Sequence, residues 1–173
     1  MELKVVYSSL EKISQFVEEE DIVSLKDCVG FIGRSQNGFT IKDLKKLPVY
    51  VLVSNQVRGK YKVYLDEFEE KIKSFVNDNF EVTREKLNDD SWNPDKEEYT
   101  FKVTDTMVKQ RIFSSPEYKS LCSGKKQLEF AHETIKSITK AMDTLQFLPP
   151  EVFDSRLMKK PKTGKGSKNG GSS

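Results

Sequence analysis

The chain has 173 residues, of which 32% are charged and 36% hydrophobic, and its formal net charge is +2. This length predicts one domain whose core needs neither disulfides nor a metal. No apolar run approaches the length of a membrane-spanning helix, and two cysteines are too few for a disulfide framework or a thiolate metal site. We therefore expect an intracellular protein, cytoplasmic or, in a eukaryote, nuclear, with no cofactor and no membrane partner.

The segment that ends at Pro48 predicts short alternating elements. Residues 2–7 alternate weakly between polar and apolar side chains, which indicates a strand followed by a helix. A second short helix is expected over residues 22–28, and a strand over residues 29–34 before an Asn-Gly turn signal. Thr40 is expected to cap a further short helix, which Pro48 would end.

Residues 49–65 predict a β-hairpin that decides the fold class. Residues 49–54 are a β-branched apolar run, typical of a strand covered on both faces, and residues 60–65 alternate. Gly59 supplies the positive φ that a tight turn favours. With a helix starting at Asp66, the pattern predicts an α+β fold, in which a mostly antiparallel sheet around this central hairpin is followed by a helical C-terminal third.

One face of the second predicted strand carries basic and aromatic side chains. Lys60, Lys62 and Tyr64 alternate onto this face, next to Arg58 in the turn. Such a face can hold phosphates and stack bases, so we consider it a candidate nucleic-acid-binding surface. The alternative is an ordinary solvated face, because exposed lysines are common.

The order of these elements resembles the ferredoxin-like fold of RNA-recognition domains. Arg58–Leu65 lies where that family has its first consensus, and Val6-Tyr7 lies where it has its second. The sequence departs from the family at Lys62, where a stacking aromatic residue belongs, and at Tyr61, where a small residue belongs. The resemblance therefore implies a fold rather than an activity.

The acidic segment over residues 84–98 is predicted to be a long loop. Its Trp92 has two interpretations: it pins the loop to the core, or it anchors a protein partner, since Trp is enriched at interface hot spots. Tyr99, Phe101 and Val103 alternate with polar residues and predict another half-buried strand.

The C-terminal third is predicted to be helical. Ser115 and Pro116 form an N-cap and first-turn pair, and the longest helix is expected from Gly124 to about Phe147. Its apolar residues are spaced three and four apart, as in a heptad seam. We expect the seam to dock on the domain's own sheet or, alternatively, to form a coiled-coil dimer. The seam consists of Leu128, Ala131, Ile135, Ile138, Met142 and Leu145.

Positive charge is concentrated at the C-terminus. Removing its six cationic residues from the 29 in the chain leaves 23 against 27 acidic residues over residues 1–155. We expect a single domain over residues 1–158 and a disordered basic tail over residues 159–173. Such a tail binds nucleic acid without sequence preference, or only keeps the protein soluble. The six are Arg156, Lys159, Lys160, Lys162, Lys165 and Lys168.

The sequence contains no motif that assigns a catalytic activity. His132 is the single histidine, and there is neither a phosphate-binding loop nor a dinucleotide fingerprint. The sequence favours a non-catalytic, nucleic-acid-associated binding protein that uses the hairpin face and the tail. The alternatives are a protein-binding regulator or inhibitor and a structural subunit of a larger assembly, which would use Trp92 and the seam. The richness in Lys, Asn, Phe and Ile also suits an AT-rich genome such as that of many phages.

Overall fold

The structure is a computed structural model, and it describes residues 3–35 and 39–147. The predicted domain boundary at residue 158 and the six cationic residues of the tail lie outside the described residues. The described chain is almost entirely helical. Its elements are α1 (Leu3–Ile13), α2 (Glu19–Ser35), α3 (Ile41–Ser91), β1 (Trp92–Asn93), β2 (Glu98–Tyr99), α4 (Asp105–Ser114) and α5 (Pro116–Leu145).

The predicted α+β fold is wrong. Among the residues that the structure describes, the strands are limited to β1 and β2, an antiparallel pair with two residues in each strand. Residues 3–7, 29–34 and 49–65, for which strands were predicted, are helical. Neither the central hairpin nor the element order of an RNA-recognition domain is therefore present.

Helix α3 passes through the signals that predicted its interruption. Pro48 lies inside the helix, although an internal proline removes one backbone hydrogen bond and costs about 3 kcal/mol. Gly59 is also helical, and nothing lies within 4 Å of the place where its Cβ would be. A short apolar run is ambiguous between helix and strand. In this structure the run over residues 49–54 is helical: Tyr50 and Val51 pack on the core, whereas Leu52 is exposed on the other side of the helix.

Two of the predicted helix starts are confirmed. Thr40 caps α3, since its hydroxyl oxygen accepts the Asp43 N–H at 3.2 Å and the Asp43 carboxylate accepts the Thr40 N–H at 3.0 Å. Ser115 caps α5, with Pro116 in the first turn. The helix begins at Pro116, and the predicted start at Gly124 lies in its interior.

A four-helix bundle forms one end of the described molecule. It contains α1, α2, residues 41–61 of α3 and residues 131–145 of α5, and a continuous apolar core joins the four. Fully burying a large apolar side chain gains about 1.5–3 kcal/mol, so this core is the main source of stability. Its most buried side chains include Leu10, Leu25, Phe31, Tyr61, Ile135 and Met142.

Beyond the bundle, α3 continues beside α4 and the first half of α5 as a stalk over residues 62–130. Helices α3 and α5 are antiparallel: the Thr139 hydroxyl donates to the Ser54 carbonyl at 3.2 Å, and Lys125 pairs with Glu69 at 3.0 Å. At 1.5 Å per residue, the 51 residues of α3 span about 75 Å. The stalk therefore carries the β1–β2 hairpin far from the bundle core.

Candidate protein-docking site

The β1–β2 hairpin closes the end of the stalk. The Ser91 carbonyl oxygen, at the end of α3, accepts the Thr100 N–H at 2.7 Å and the Thr100 hydroxyl at 2.8 Å. The Asn93 side-chain oxygen accepts the Asp95 N–H at 3.0 Å, which folds the turn. Glu97 then adopts a φ of 49°, in the left-handed region. These contacts reverse the chain where sequence analysis predicted a long loop.

Three aromatic side chains are exposed on this hairpin and directly after it, and we call them the aromatic tip. They are Trp92, 44% exposed, Tyr99, 63% exposed, and Phe101, 40% exposed. The Trp92 and Tyr99 rings meet edge to face, with centroids 5.0 Å apart. Trp92 thus packs on its hairpin neighbour rather than on the bundle core. Trp92 stood out in the sequence, whereas Tyr99 and Phe101 were predicted to belong to a half-buried strand and were missed as site residues.

The aromatic tip has an acidic rim. Five exposed carboxylates surround it, against the two cations Lys96 and Lys102. Within the described part of the chain, none of the five takes part in an ion pair. This excess of negative charge favours a cationic partner. The five are Asp89, Asp90, Asp95, Glu97 and Glu98.

The apolar side chains on the inner side of α3 are only half-buried in the stalk. Helices α4 and α5 cover α3 on one side only, whereas the four helices of the bundle enclose their core. An incompletely covered apolar strip is typical of a surface that binds a further element. The strip consists of Leu65, Phe68, Ile72, Phe75, Val76, Phe80 and Leu87.

A cleft of about 700 Å³ opens beside this strip, between α3 and the junction of α4 with α5. The two helices are separate because Ser115 is extended and Pro116 has no N–H with which to continue α4. The cleft has the volume of an ordinary ligand-binding pocket. Its lining mixes apolar and charged side chains, including Phe75, Leu87, Ile112, Lys86, Asp90 and Arg111.

Two of the residues predicted to bind nucleic acid instead join α3 to α2. Lys60 Nζ lies 2.6 Å from Glu18 Oε2 and 2.8 Å from Asp21 Oδ2, and the Tyr64 hydroxyl donates to Glu18 Oε1 at 3.1 Å. The hydrogen bonds from Lys60 and Tyr64 lower the pKa of Glu18. The predicted common face of Lys60, Lys62 and Tyr64 does not form, because alternate residues of a helix point in different directions.

The other two residues of that predicted face, Arg58 and Lys62, lie one turn apart on α3 near α5. Burial lowers the pKa of His132 on α5, and the neighbouring Glu133 carboxylate opposes this effect. The cations Lys136, Arg58 and Lys62 lower it further. Two of these three cations are already paired: Lys136 Nζ lies 2.9 Å from Glu133 Oε1, and Lys62 pairs with Asp66 one turn along α3.

The heptad seam is buried in the bundle. Ile135, Ile138 and Met142 are fully covered, Leu145 is nearly so, and Leu128 packs against the edge of the core. The seam docks within the chain, as the first interpretation expected, although it meets helices rather than a sheet. Side chains that are already buried against α1, α2 and α3 are not exposed to a coiled-coil partner.

The described residues include no arrangement that resembles a metal site. No group of three or more His, Cys, Asp or Glu among them is placed to hold a metal ion. Cys28 is buried and its thiol donates to the Tyr50 carbonyl at 3.6 Å. Burial raises the pKa of this thiol to about 11, which disfavours the nucleophilic thiolate. Of the helices described, none is long and apolar enough to cross a membrane.

Comparison with known proteins adds no functional assignment. No protein-family model, curated protein or solved structure matches the chain.

Proposed function

We propose that this chain is a non-catalytic protein-binding module that docks its partner at the end of the stalk. The observation that supports this proposal is the exposure of Trp92, Tyr99 and Phe101 on a short hairpin and directly after it, far from the core. Clustered aromatic side chains within a polar rim are typical of interface hot spots. A projecting hairpin also meets a partner without interference from the bundle.

The partner that fits this surface presents an apolar side chain flanked by Lys or Arg. The apolar side chain would contact the Trp92 and Tyr99 rings, and the cations would face the acidic rim. Lys and Arg are also attracted to the faces of Trp and Tyr rings. The half-buried strip and the cleft at Pro116 extend the same surface towards the bundle.

A binding role of this kind suits a regulator, an inhibitor or a structural subunit of an assembly. We place it inside the cell, in the cytoplasm or, in a eukaryote, in the nucleus. Two free cysteines, buried Cys28 and half-buried Cys122, support a reducing compartment.

The test is partner capture from an extract of the source cells, with the tagged full chain as bait. We compare the wild type with Trp92→Ala/Tyr99→Ala and with the matched control Val23→Ala, which removes an exposed side chain from the bundle. Loss of a hot spot weakens binding by about 30-fold or more. We expect the tip variant to lose proteins that the control retains, and equal capture by both would contradict the proposal. Light scattering then shows whether the partner is a second copy.

Nucleic-acid association is a second candidate function, and the cations around His132 favour it. Arg58 and Lys62 of α3 and Lys136 of α5 all act on His132, and Lys62 and Lys136 would exchange their Asp66 and Glu133 partners for phosphates. The basic C-terminal residues would add affinity that does not depend on sequence. Three neutralised phosphates predict that a fourfold rise in salt weakens binding to double-stranded DNA by about 40-fold.

Fluorescence anisotropy with single- and double-stranded DNA and RNA, at two salt concentrations, tests this second function. The samples are the wild type, Arg58→Glu/Lys62→Glu, a chain truncated after Ser155, and the control Lys71→Glu/Lys73→Glu on the stalk. We expect the first variant to lose affinity and the stalk control to keep it. Loss on truncation alone would assign binding to the tail, and no binding by the wild type would exclude this function.

A further inference from the structure

Helix α3 has an exposed apolar ridge on the side that faces away from the bundle core. Val49, Leu52, Gln56, Gly59 and Val63 are spaced three, four, three and four residues apart, so they lie along one line of the helix. Val49 is 59% exposed, Leu52 58% and Val63 53%. A heptad spacing of mainly apolar side chains on an open helix face predicts that a further segment packs there.

The same line of α3 becomes acidic in the stalk, and we call the whole line from Val49 to Glu85 the outer ridge. The carboxylates are exposed, and two of them are paired within α3, Glu70 with Lys73 and Glu81 with Arg84. The acidic part consists of Glu67, Glu70, Asp78, Glu81 and Glu85. In the part of the chain that the structure describes, Glu67 and Glu85 have no ion-pair partner. A segment that matched the outer ridge would be apolar first and basic afterwards.

The C-terminal sequence of this chain has that order. Val152, Phe153 and Leu157 come first, and five lysines follow between Lys159 and Lys168. No acidic residue occurs after Asp154. The pattern of the segment therefore complements the pattern of the outer ridge in both hydrophobicity and charge.

The end of α5 lies beside the apolar part of the outer ridge. The Asn55 amide donates to the Asp143 carboxylate at 3.4 Å, which places the last turn of α5 beside Asn55, about one turn of α3 after Leu52. Phe147, the last described residue, is 82% exposed. The chain therefore leaves the bundle near Val49 and Leu52.

The chain beyond Phe147 is long enough to follow the outer ridge. From Val49 to Glu85, α3 rises about 54 Å at 1.5 Å per residue. The 21 residues from Leu148 to Lys168 span up to about 70 Å when extended. Contact within one molecule therefore needs no second copy.

We propose that residues 152–168 bind along the outer ridge of their own α3. Val152, Phe153 and Leu157 cover the apolar part, and the lysines pair with the acidic part. This inference does not rest on either function proposed above, because it uses a face of α3 that contributes neither to the aromatic tip nor to the His132 cluster. One consequence is that an anionic ligand that binds the C-terminal lysines competes for these lysines with Glu67 and Glu85.

Paramagnetic relaxation in the full-length protein tests this proposal. A spin label is attached at Ser167→Cys in a Cys122→Ser background, in which Cys28 remains buried and unreactive. We expect the amide signals of residues 67–85 to lose intensity, compared with those of residues 6–13 of α1 in the bundle. The loss should disappear at about 1 M salt, where the screening length is about 3 Å. Equal intensities in the two segments would overturn the proposal.

Two controls make the result specific. Glu67→Lys/Glu85→Lys should abolish the signal loss, whereas the matched charge reversal Glu117→Lys on α5 should leave it unchanged. Circular dichroism of both variants confirms that the helices are retained. A loss that persists in Glu67→Lys/Glu85→Lys, or that arises when labelled protein is mixed with isotope-enriched unlabelled protein, would refute binding within one chain.

Discussion

Replacement of Tyr61 tests the placement of residues 49–65 in a bundle helix. Tyr61 is 1% exposed, and its hydroxyl oxygen accepts the Glu18 N–H at 2.7 Å. Tyr61→Ala removes a buried aromatic ring, for which the expected cost is about 3–5 kcal/mol. Tyr61→Phe keeps the ring but leaves the Glu18 N–H without this acceptor, so we expect a cost of about 1 kcal/mol.

Urea unfolding followed by far-ultraviolet circular dichroism measures both costs. Tyr99→Ala and Tyr99→Phe are the matched controls, because Tyr99 is 63% exposed on the aromatic tip. We expect each control to change the free energy of unfolding by less than about 0.5 kcal/mol. If Tyr61→Ala costs no more than Tyr99→Ala, Tyr61 does not lie in the core and the assignment of this segment to the bundle is wrong.

Three further predictions concern the stalk, the hairpin and the connection between α1 and α2. A Cβ at Gly124 would lie 2.9 Å from Phe68 Cζ, so we expect Gly124→Ala to destabilise the wild type. In a Phe68→Ala background the same substitution should stabilise the protein by about 1 kcal/mol, because alanine has the higher helix propensity. A double-mutant cycle without coupling between the two positions would contradict this close approach. Glu97→Gly should stabilise the hairpin by about 1 kcal/mol, because glycine adopts the φ of 49° without strain, and slower hydrogen exchange at the Thr100 amide is the expected readout. Since Lys60 lowers the pKa of Glu18, the contribution of Glu18 to stability is present above its ordinary pKa of 4.5 and is lost as the pH falls through the lowered value. Thermal melts should therefore show a smaller loss of stability on acidification in Lys60→Met than in the wild type, and an equal loss would rule out this coupling.

The candidate site was only partly predictable from sequence. Trp92 stood out as the single tryptophan in an acidic segment, but the alternation of Tyr99 and Phe101 indicated a half-buried strand. Alternation shows which side chains share a face, and it does not show whether anything covers that face. A usable signal was Asn93, because a hairpin whose turn follows it, over residues 94–97, places Trp92 opposite Tyr99.

The outer ridge was present in the sequence and was missed for a related reason. Val49, Leu52 and Val63 were assigned to strands, so their three- and four-residue spacing was not tested against the helical period. Residues 49–54 form a continuous apolar run, which contains positions at the helical spacing and at the strand spacing alike. Only a longer window, from Val49 to Glu85, distinguishes the helical period from the strand period.

Features that depend only on neighbouring residues could be predicted from the sequence. The caps at Thr40 and Ser115 are local hydrogen bonds, and the seam from Leu128 to Leu145 keeps its period whatever it packs against. Tertiary structure decided whether residues 49–65 form a hairpin or a helix. The local penalties of Pro48 and Gly59 amount to a few kcal/mol, and burial of Tyr61 with the surrounding core is large enough to offset them. That burial depends on α1, α2 and α5, which no short window of the sequence contains.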